Sequence, residues 1–278
     1  MSRSTPSTGK KAGKTTGKST VWKVLISIAV VILVLFLVAE VGMRWYMSKQ
    51  FRDGFEEGIP ANVTVEGEPQ LSFGPTPLTF SLFTGTIPSM TLDTPSTLEI
   101  GDDFINGSPA AQVELKDLSI RGDNNVGHLQ VTSEIPDDFL ETAMQMQLQE
   151  AISGGNAGDY SEIINVLGIS DIAANPTSGT FDLAITQGIF EIELLPVMVD
   201  GQLQFEVESS RLFGFDLPPE TTDALKQLSE SGIQEELVGP LQIQQFTVIQ
   251  DGFRVTLTGD NVNLDELSST SAPAPKQP

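Results

Sequence analysis

The chain has 278 residues, with 37 Asp/Glu against 15 Lys/Arg, one histidine and no cysteine, and a net charge of −22. So negative a chain disfavours nucleic acid as a partner, because phosphates are held by Lys and Arg. One His and no Cys exclude a cysteine nucleophile, a disulfide framework and any zinc site built on several His or Cys ligands.

Residues 1–20, MSRSTPSTGKKAGKTTGKST, offer no apolar face and read as a disordered, basic cytoplasmic tail. Gly13 to Ser19 imitates a phosphate-binding loop, but three residues separate its glycines where four are needed. A basic tail beside anionic inner-leaflet lipid is the simpler reading.

Residues 21–46, VWKVLISIAVVILVLFLVAEVGMRWY, carry one charge between Lys23 and Arg44, that of Glu40. Such a segment can cross a hydrocarbon layer of roughly 30 Å. Trp22 and Trp45, with Tyr46 beside the second, lie roughly 35 Å apart on a helix rising ~1.5 Å per residue, and read as membrane-interface residues. Cleavable signals need small residues one and three positions before the cut, whereas Ala39 follows Leu37 by two and Gly42 follows Glu40 by two. The segment therefore reads as an uncleaved signal-anchor. Residues 1–50 hold eight Lys/Arg and one acid, net +7, which leaves −29 for the rest. The positive-inside bias predicts a single-pass cell-membrane protein with a cytoplasmic N-terminus and an extracytoplasmic C-terminal domain.

Beyond the span, residues 47–70 read as a juxtamembrane linker, 71–266 as one domain and 267–278 as a disordered Pro/Ser tail. Thr180 to Ile185, Phe190 to Leu194 and Gln202 to Glu208 alternate apolar with polar or small residues, which predicts strands with one greasy and one acidic face. Asp200-Gly201 and Asp251-Gly252 read as tight turns, so the sheet is expected to be antiparallel. One helix is predicted after Pro136, with Leu140, Met144, Leu148 and Ile152 at four-residue spacing, and a second after Pro218-Pro219 with Ala224, Leu225 and Leu228. Tyr160 to Leu167 suggests a short third. Gly127-His128-Leu129-Gln130-Val131 resembles Gly201-Gln202-Leu203-Gln204-Phe205, a weak repeat that chance could also produce.

No catalytic constellation assembles. His128 alternates with Leu129 and Val131 and is expected to face water, as are the pairs Glu191/Glu193 and Glu206/Glu208. Arg121-Gly122-Asp123 reads as an ordinary loop, and Asn62-Val63-Thr64 and Asn106-Gly107-Ser108 as formal glycosylation acceptors only. The apolar strand faces carry Phe181, Leu183, Phe190, Ile192, Leu194, Leu203, Phe205, Phe246, Val248, Phe253, Val255 and Leu257. Alternation alone favours a closed core over an open groove, because alternating strands in soluble domains ordinarily pack.

The order of elements adds to this. A strand pair from Thr180, then Pro196-Val197-Met198-Val199-Asp200-Gly201-Gln202-Leu203, Phe215-Asp216-Leu217-Pro218, Val238-Gly239-Pro240-Leu241 and Val248 to Gly259 resembles the LmeA-like phospholipid-binding family of actinobacterial cell-envelope proteins. Pro77-Leu78, Leu82, Gly85, Ile87 and Val113 to Ile120 agree more loosely. The resemblance implies an α+β fold related to tubular lipid-binding proteins, a long antiparallel sheet curled around a few helices. It implies a phospholipid or lipid-linked glycan as ligand, no catalytic set, no cofactor, and a role in envelope lipid or lipoglycan assembly, with room for an envelope glycosyltransferase as partner. On that reading Phe190, Ile192, Leu194, Leu203 and Phe205 line an acyl-chain site, and Phe213 and Phe215 form its lip. The alternative is a ligand-free β-rich interaction module that scaffolds an envelope enzyme.

Overall fold

A computed structural model describes residues 18–59, 63, 65, 67–101, 104–122, 124–153, 168–199, 202–218 and 240–270. The predicted tails through residue 17 and from 271, the helices after Pro218 and at Tyr160 to Leu167, the Asp200-Gly201 turn, Asn62 and Asp123 fall outside those residues.

The apolar segment forms helix α1, Lys18–Gly58, in which the stretch from Ile26 has the length and hydropathy to cross a membrane. Its side chains from Ile26 to Val41 are exposed except that of Glu40. The helix does not stop at Tyr46. MSKQFRDGFEEG contains good helix formers and no proline, so the backbone ladder continues until Gly58-Ile59-Pro60 ends it.

The expected antiparallel, helix-poor architecture follows, with its strands divided between two main sheets. In chain order the elements are β1 (Gln70–Phe73), α2 (Leu78–Thr84), β2 (Thr86–Thr94), β3 (Glu99–Ile100), β4 (Ile105–Asn106), β5 (Ala111–Ser119) and β6 (Asn125–Pro136). Then come α3 (Asp137–Ser153), β7 (Ile169–Asn175), β8 (Thr180–Ile185), β9 (Phe190–Val199), β10 (Gln202–Leu212), β11 (Phe215–Asp216), β12 (Gln242–Ile249), β13 (Gly252–Asn263) and α4 (Leu264–Thr270). One sheet has the order β1-β2-β5-β6-β13-β12, the other β11-β10-β9-β8-β7, and β3-β4 is a small hairpin. The Asp251-Gly252 turn joins β12 to β13 as expected, and a Cβ at Gly252 would run into the Ile135 carbonyl oxygen, so only glycine fits.

The sheets meet through β12 and β13 on one side and β7 and β10 on the other. Phe181, fully buried, sits between them with its ring edge-on to Phe205, Phe246 and Phe253 at 6.0–6.3 Å. Leu140 and Met144 of α3 pack against this cluster. A second cluster, Leu115, Val126, Leu129 and Val262, lies in the six-stranded sheet and is covered by Leu264 and Leu267 of α4. The chain thus remains ordered as helix through Thr270, because Asn263 caps it by accepting from the amides of Asp265 and Glu266 and Leu267 has a core to cover.

Where α1 meets the domain, buried Glu40 accepts from Arg44 Nε at 2.6 Å, from the amides of Leu78 and Thr79 at 2.8 and 2.9 Å, and from the Thr79 hydroxyl at 3.1 Å. It therefore caps α2 from another helix. Arg44 donates onward to the carbonyls of Phe73, Gly74 and Thr76 and lies 5.8 Å from the Phe73 ring centre.

Two outcomes test this packing. Phe181→Ala should lower the unfolding free energy by about 3–5 kcal/mol in denaturant titration, because it leaves a cavity against three rings. Glu40→Ala removes charge-assisted bonds worth about 1.5–3 kcal/mol, so amide hydrogen exchange at Leu78 and Thr79 should accelerate by roughly 10- to 100-fold while the strands keep their protection.

Candidate functional site

Strands β9 and β10 form the predicted hairpin, with Leu203 opposite Met198 and Phe205 opposite Pro196. A bulge between Val207 and Ser209 shifts the register, and beyond it Leu212 stands opposite Phe190. Ile192, Leu194 and Phe205 pack against the cluster around Phe181 and belong to the interior. Leu203 is half-buried nearer the other end of the hairpin.

Phe190 belongs to a different environment. Cross-strand partners share a face, so Ile169, Ile185, Phe190, Leu212 and Phe215 form one apolar row across the five-stranded sheet. The row opens toward solvent at its β11 end, where Phe215 is 78% exposed. Phe213, 68% exposed, occupies the turn between β10 and β11 at φ 51 and donates its amide to the Ile189 carbonyl at 2.8 Å. The structure thus joins Phe190 and Phe215 in a row and sets Phe213 at its edge, while Ile192, Leu194 and Phe205 lie deeper.

Sequence reasoning missed a second row. Leu71, Leu92, Val113, Val131, Leu257 and Ile243 are successive cross-strand partners through all strands of the larger sheet. Ile243 is buried and the others are half-buried. At about 4.8 Å per strand the row spans roughly 24 Å, enough for a long acyl chain to lie along it. It starts at β1, whose Leu71 carbonyl accepts from Ser48 of α1 at 3.3 Å. Alternation in each strand was the only local signal; the row is a product of register.

The opposite face of the five-stranded sheet is polar. A depression of about 230 Å³ is lined there by Asp171, Asp182, Glu191, Glu193, Ser209 and Arg211, among others. Glu191 pairs with Arg211 at 2.9 Å, and Glu193 accepts from the hydroxyls of Thr180 and Ser209 at 3.0 and 2.9 Å. These carboxylates are held by structural partners. Partial burial pushes the Asp182 carboxyl up, the Glu193 charge adds to it, and Arg211 offsets part of the shift. Burial likewise raises Glu141, with the charges of Asp171 and Asp138 adding to it. His128 pairs with Asp260 at 2.8 Å across β6 and β13. A larger cleft, about 660 Å³, separates the end of α1 from the β3-β4 hairpin and is lined by Phe55, Ile59 and Val63 together with Thr97, Glu99 and Asn106. Of the interface aromatics, Trp45 and Tyr46 are exposed on α1, and the Trp22 side chain is outside the described residues.

Two antiparallel sheets with apolar rows, joined to a long apolar helix, define a β-rich domain of the kind that can lay a lipid chain along a sheet. The family profile for LmeA-like phospholipid-binding proteins matches residues 38–270, and the chain belongs to that family. The matched region begins just before Glu40, so it takes in the junction of α1 with the domain. No curated protein and no solved structure matches the chain.

The raised Asp182 carboxyl gives a signed pH prediction. A carboxyl raised in the folded state binds more protons there than in the unfolded chain, so its contribution to stability declines as pH rises from its ordinary value, about 3.9, through the folded one. Asp182→Asn should therefore raise the denaturation midpoint at neutral pH, and the difference should vanish below about pH 3.

Proposed function

We propose that this protein is a non-enzymatic, membrane-anchored phospholipid-binding protein that supports envelope lipid or lipoglycan assembly outside the cytoplasmic membrane. The observation that carries the lipid site is the row ending in Phe215. Aromatic side chains left in water at the end of an otherwise apolar row gain by being covered, and a lipid chain supplies that cover. Phe190 and Leu212 line the acyl-chain site, and Phe213 and Phe215 form its rim. Ile192, Leu194 and Phe205 belong to the closed core behind it, with Leu203 toward the other end of the hairpin. The partner class is a phospholipid or lipid-linked glycan, and an envelope glycosyltransferase is the protein partner that such a role would serve.

Anchoring is supported by the junction. Cleavage after Gly42 would discard Glu40 and strip α2 of its cap, and the family match includes that residue. The N-terminus is cytoplasmic on this reading, from the six bases at or before the start of the span, Arg3 to Lys23.

A second reading places the chain on the row from Leu71 to Leu257, and its support is that the row begins beside α1. Photolysis of a phospholipid with a diazirine in its acyl chain, followed by mapping of adducts on the full-length protein, separates the two. Adducts at Phe190, Leu212 or Phe215 are expected; adducts confined to Val113 and Val131 would move the site to the larger sheet. The Phe213→Ser/Phe215→Ser double variant should melt like the parent and retain several-fold less co-purified phospholipid in native mass spectrometry. A parent that holds no lipid would favour the scaffolding module. For topology, a cysteine replacing Thr177 in the exposed β7–β8 turn should react with an impermeant thiol reagent on intact cells once any outer layer is opened, and one replacing Ser7 should not.

A further inference from the structure

Helix α2 buries two hydroxyl side chains and leaves three large apolar ones exposed. Leu78, Thr79 and Ser81 are buried at 3, 8 and 2% exposure, while Phe80, Leu82 and Phe83 stand out at 56, 49 and 78%. A short helix bathed in water would turn its rings inward and its hydroxyls outward. In this one Thr79 faces α1, where Glu40 takes both first-turn amides and the Thr79 hydroxyl. Its rings are exposed, as are Leu37 and Val41, the apolar residues of α1 on either side of Glu40 in the sequence.

Depth follows from the same contact. Glu40 lies five residues before Trp45, hence roughly 7–8 Å further into the bilayer than the indole that marks the headgroup layer. The first turn of α2 is fixed at that level. Interfacial helices bury their apolar faces to a depth of about 5–10 Å. The composition agrees, for Pro69 to Leu92 is the longest uncharged run of the chain, in a domain that is otherwise densely acidic. At the other end of α2 the Arg121 guanidinium donates to the carbonyls of Leu82 and Phe83, which sets a cation beside exposed Ile120.

We propose that α2 is seated in the outer leaflet beside α1, with Phe80, Leu82 and Phe83 among the acyl chains and Arg121 level with the lipid phosphates. The occupant of this apolar face is the lipid of the bilayer that α1 spans. The inference rests on the anchored reading above. It fixes the β1 edge of the larger sheet at the membrane surface instead of leaving the domain on a free tether.

The absence of native cysteine makes the test direct. The full chain carrying Phe83→Cys, Val41→Cys or Gln250→Cys is labelled with an environment-sensitive fluorophore and reconstituted in phosphatidylcholine/phosphatidylglycerol vesicles. Quenching by lipids spin-labelled high on the acyl chain is compared with quenching by aqueous iodide. Positions 83 and 41 should show blue-shifted emission and several-fold stronger quenching by lipid than by iodide, and position 250 the reverse. Phe80→Cys supplies the same comparison from the other exposed ring. If position 41 is quenched by lipid while 83 and 80 behave like 250, the seating of α2 is overturned and the anchor stands. If position 41 also fails to meet lipid, the anchor is lost and this proposal with it.

Discussion

A carboxylate inside an apolar helix is the constraint from which the half of the structure around α1 follows. An unpartnered carboxylate is costly among apolar side chains, so Glu40 needs donors. Arg44, one turn on, supplies one; the rest come from Leu78 and Thr79, almost forty residues away. The chain must therefore return to α1 before the larger sheet is complete. That return places β1 against the helix, where Arg44 and Ser48 donate to carbonyls of Leu71, Phe73 and Gly74. Edge strands expose unpaired groups that invite another strand, and α1 covers part of this one.

The two sheets divide the remaining work. Each has one apolar face, and they share an interior only where β12 and β13 meet β7 and β10 around Phe181. Outside that contact the larger sheet keeps a second buried cluster under α4, while Phe213 and Phe215 at the edge of the smaller sheet stand in water, so the domain has closed cores and apolar surface to spare. The closed part holds a cysteine-free domain together; the open part is where a ligand can act. Phe205 and Phe190, both on β9-β10, fall on opposite sides of that division. The bulge at Val207/Ser209 shifts the register between them, with Phe205 in the aromatic cluster and Phe190 leading toward the open rim.

The fold was largely legible because period-two alternation is local, and the strand faces assigned to Phe181, Leu183, Ile192, Leu194, Phe205, Val248 and Phe253 are those found in the core. The α3 start at Asp137 was legible through Pro136 and the acidic first turn. What escaped depends on pairing between distant residues. Nothing near Glu40 announces that its partners are Leu78 and Thr79, so it read as a lone charge in a span. Helix α2 is too short to show a period, and its exposed rings contradict the rule that apolar side chains turn inward. The row from Leu71 to Ile243 requires the registers of five strand pairs at once, and those are set by turns and bulges that one strand's sequence does not contain.

Charge then decides how such a domain can stay close to lipid. The part beyond residue 50 carries a net −29 and is repelled by anionic headgroups, so surface electrostatics pushes it away from the bilayer. The bases that flank α2 are committed to it: Arg44, within α1, donates to the carbonyls before α2 and Arg121 to those at its end. Any attraction of so acidic a domain to lipid has to come from apolar surface. Because α1 continues as one helix to Gly58, its last fourteen residues form a rod of roughly 20 Å beyond the apolar stretch. A rod clamped at its base by Glu40 and Arg44 permits little swinging. Held to the domain through those bonds, α1 keeps one orientation to the β1 edge, and the apolar rows of the sheets keep a fixed place relative to the apolar helix.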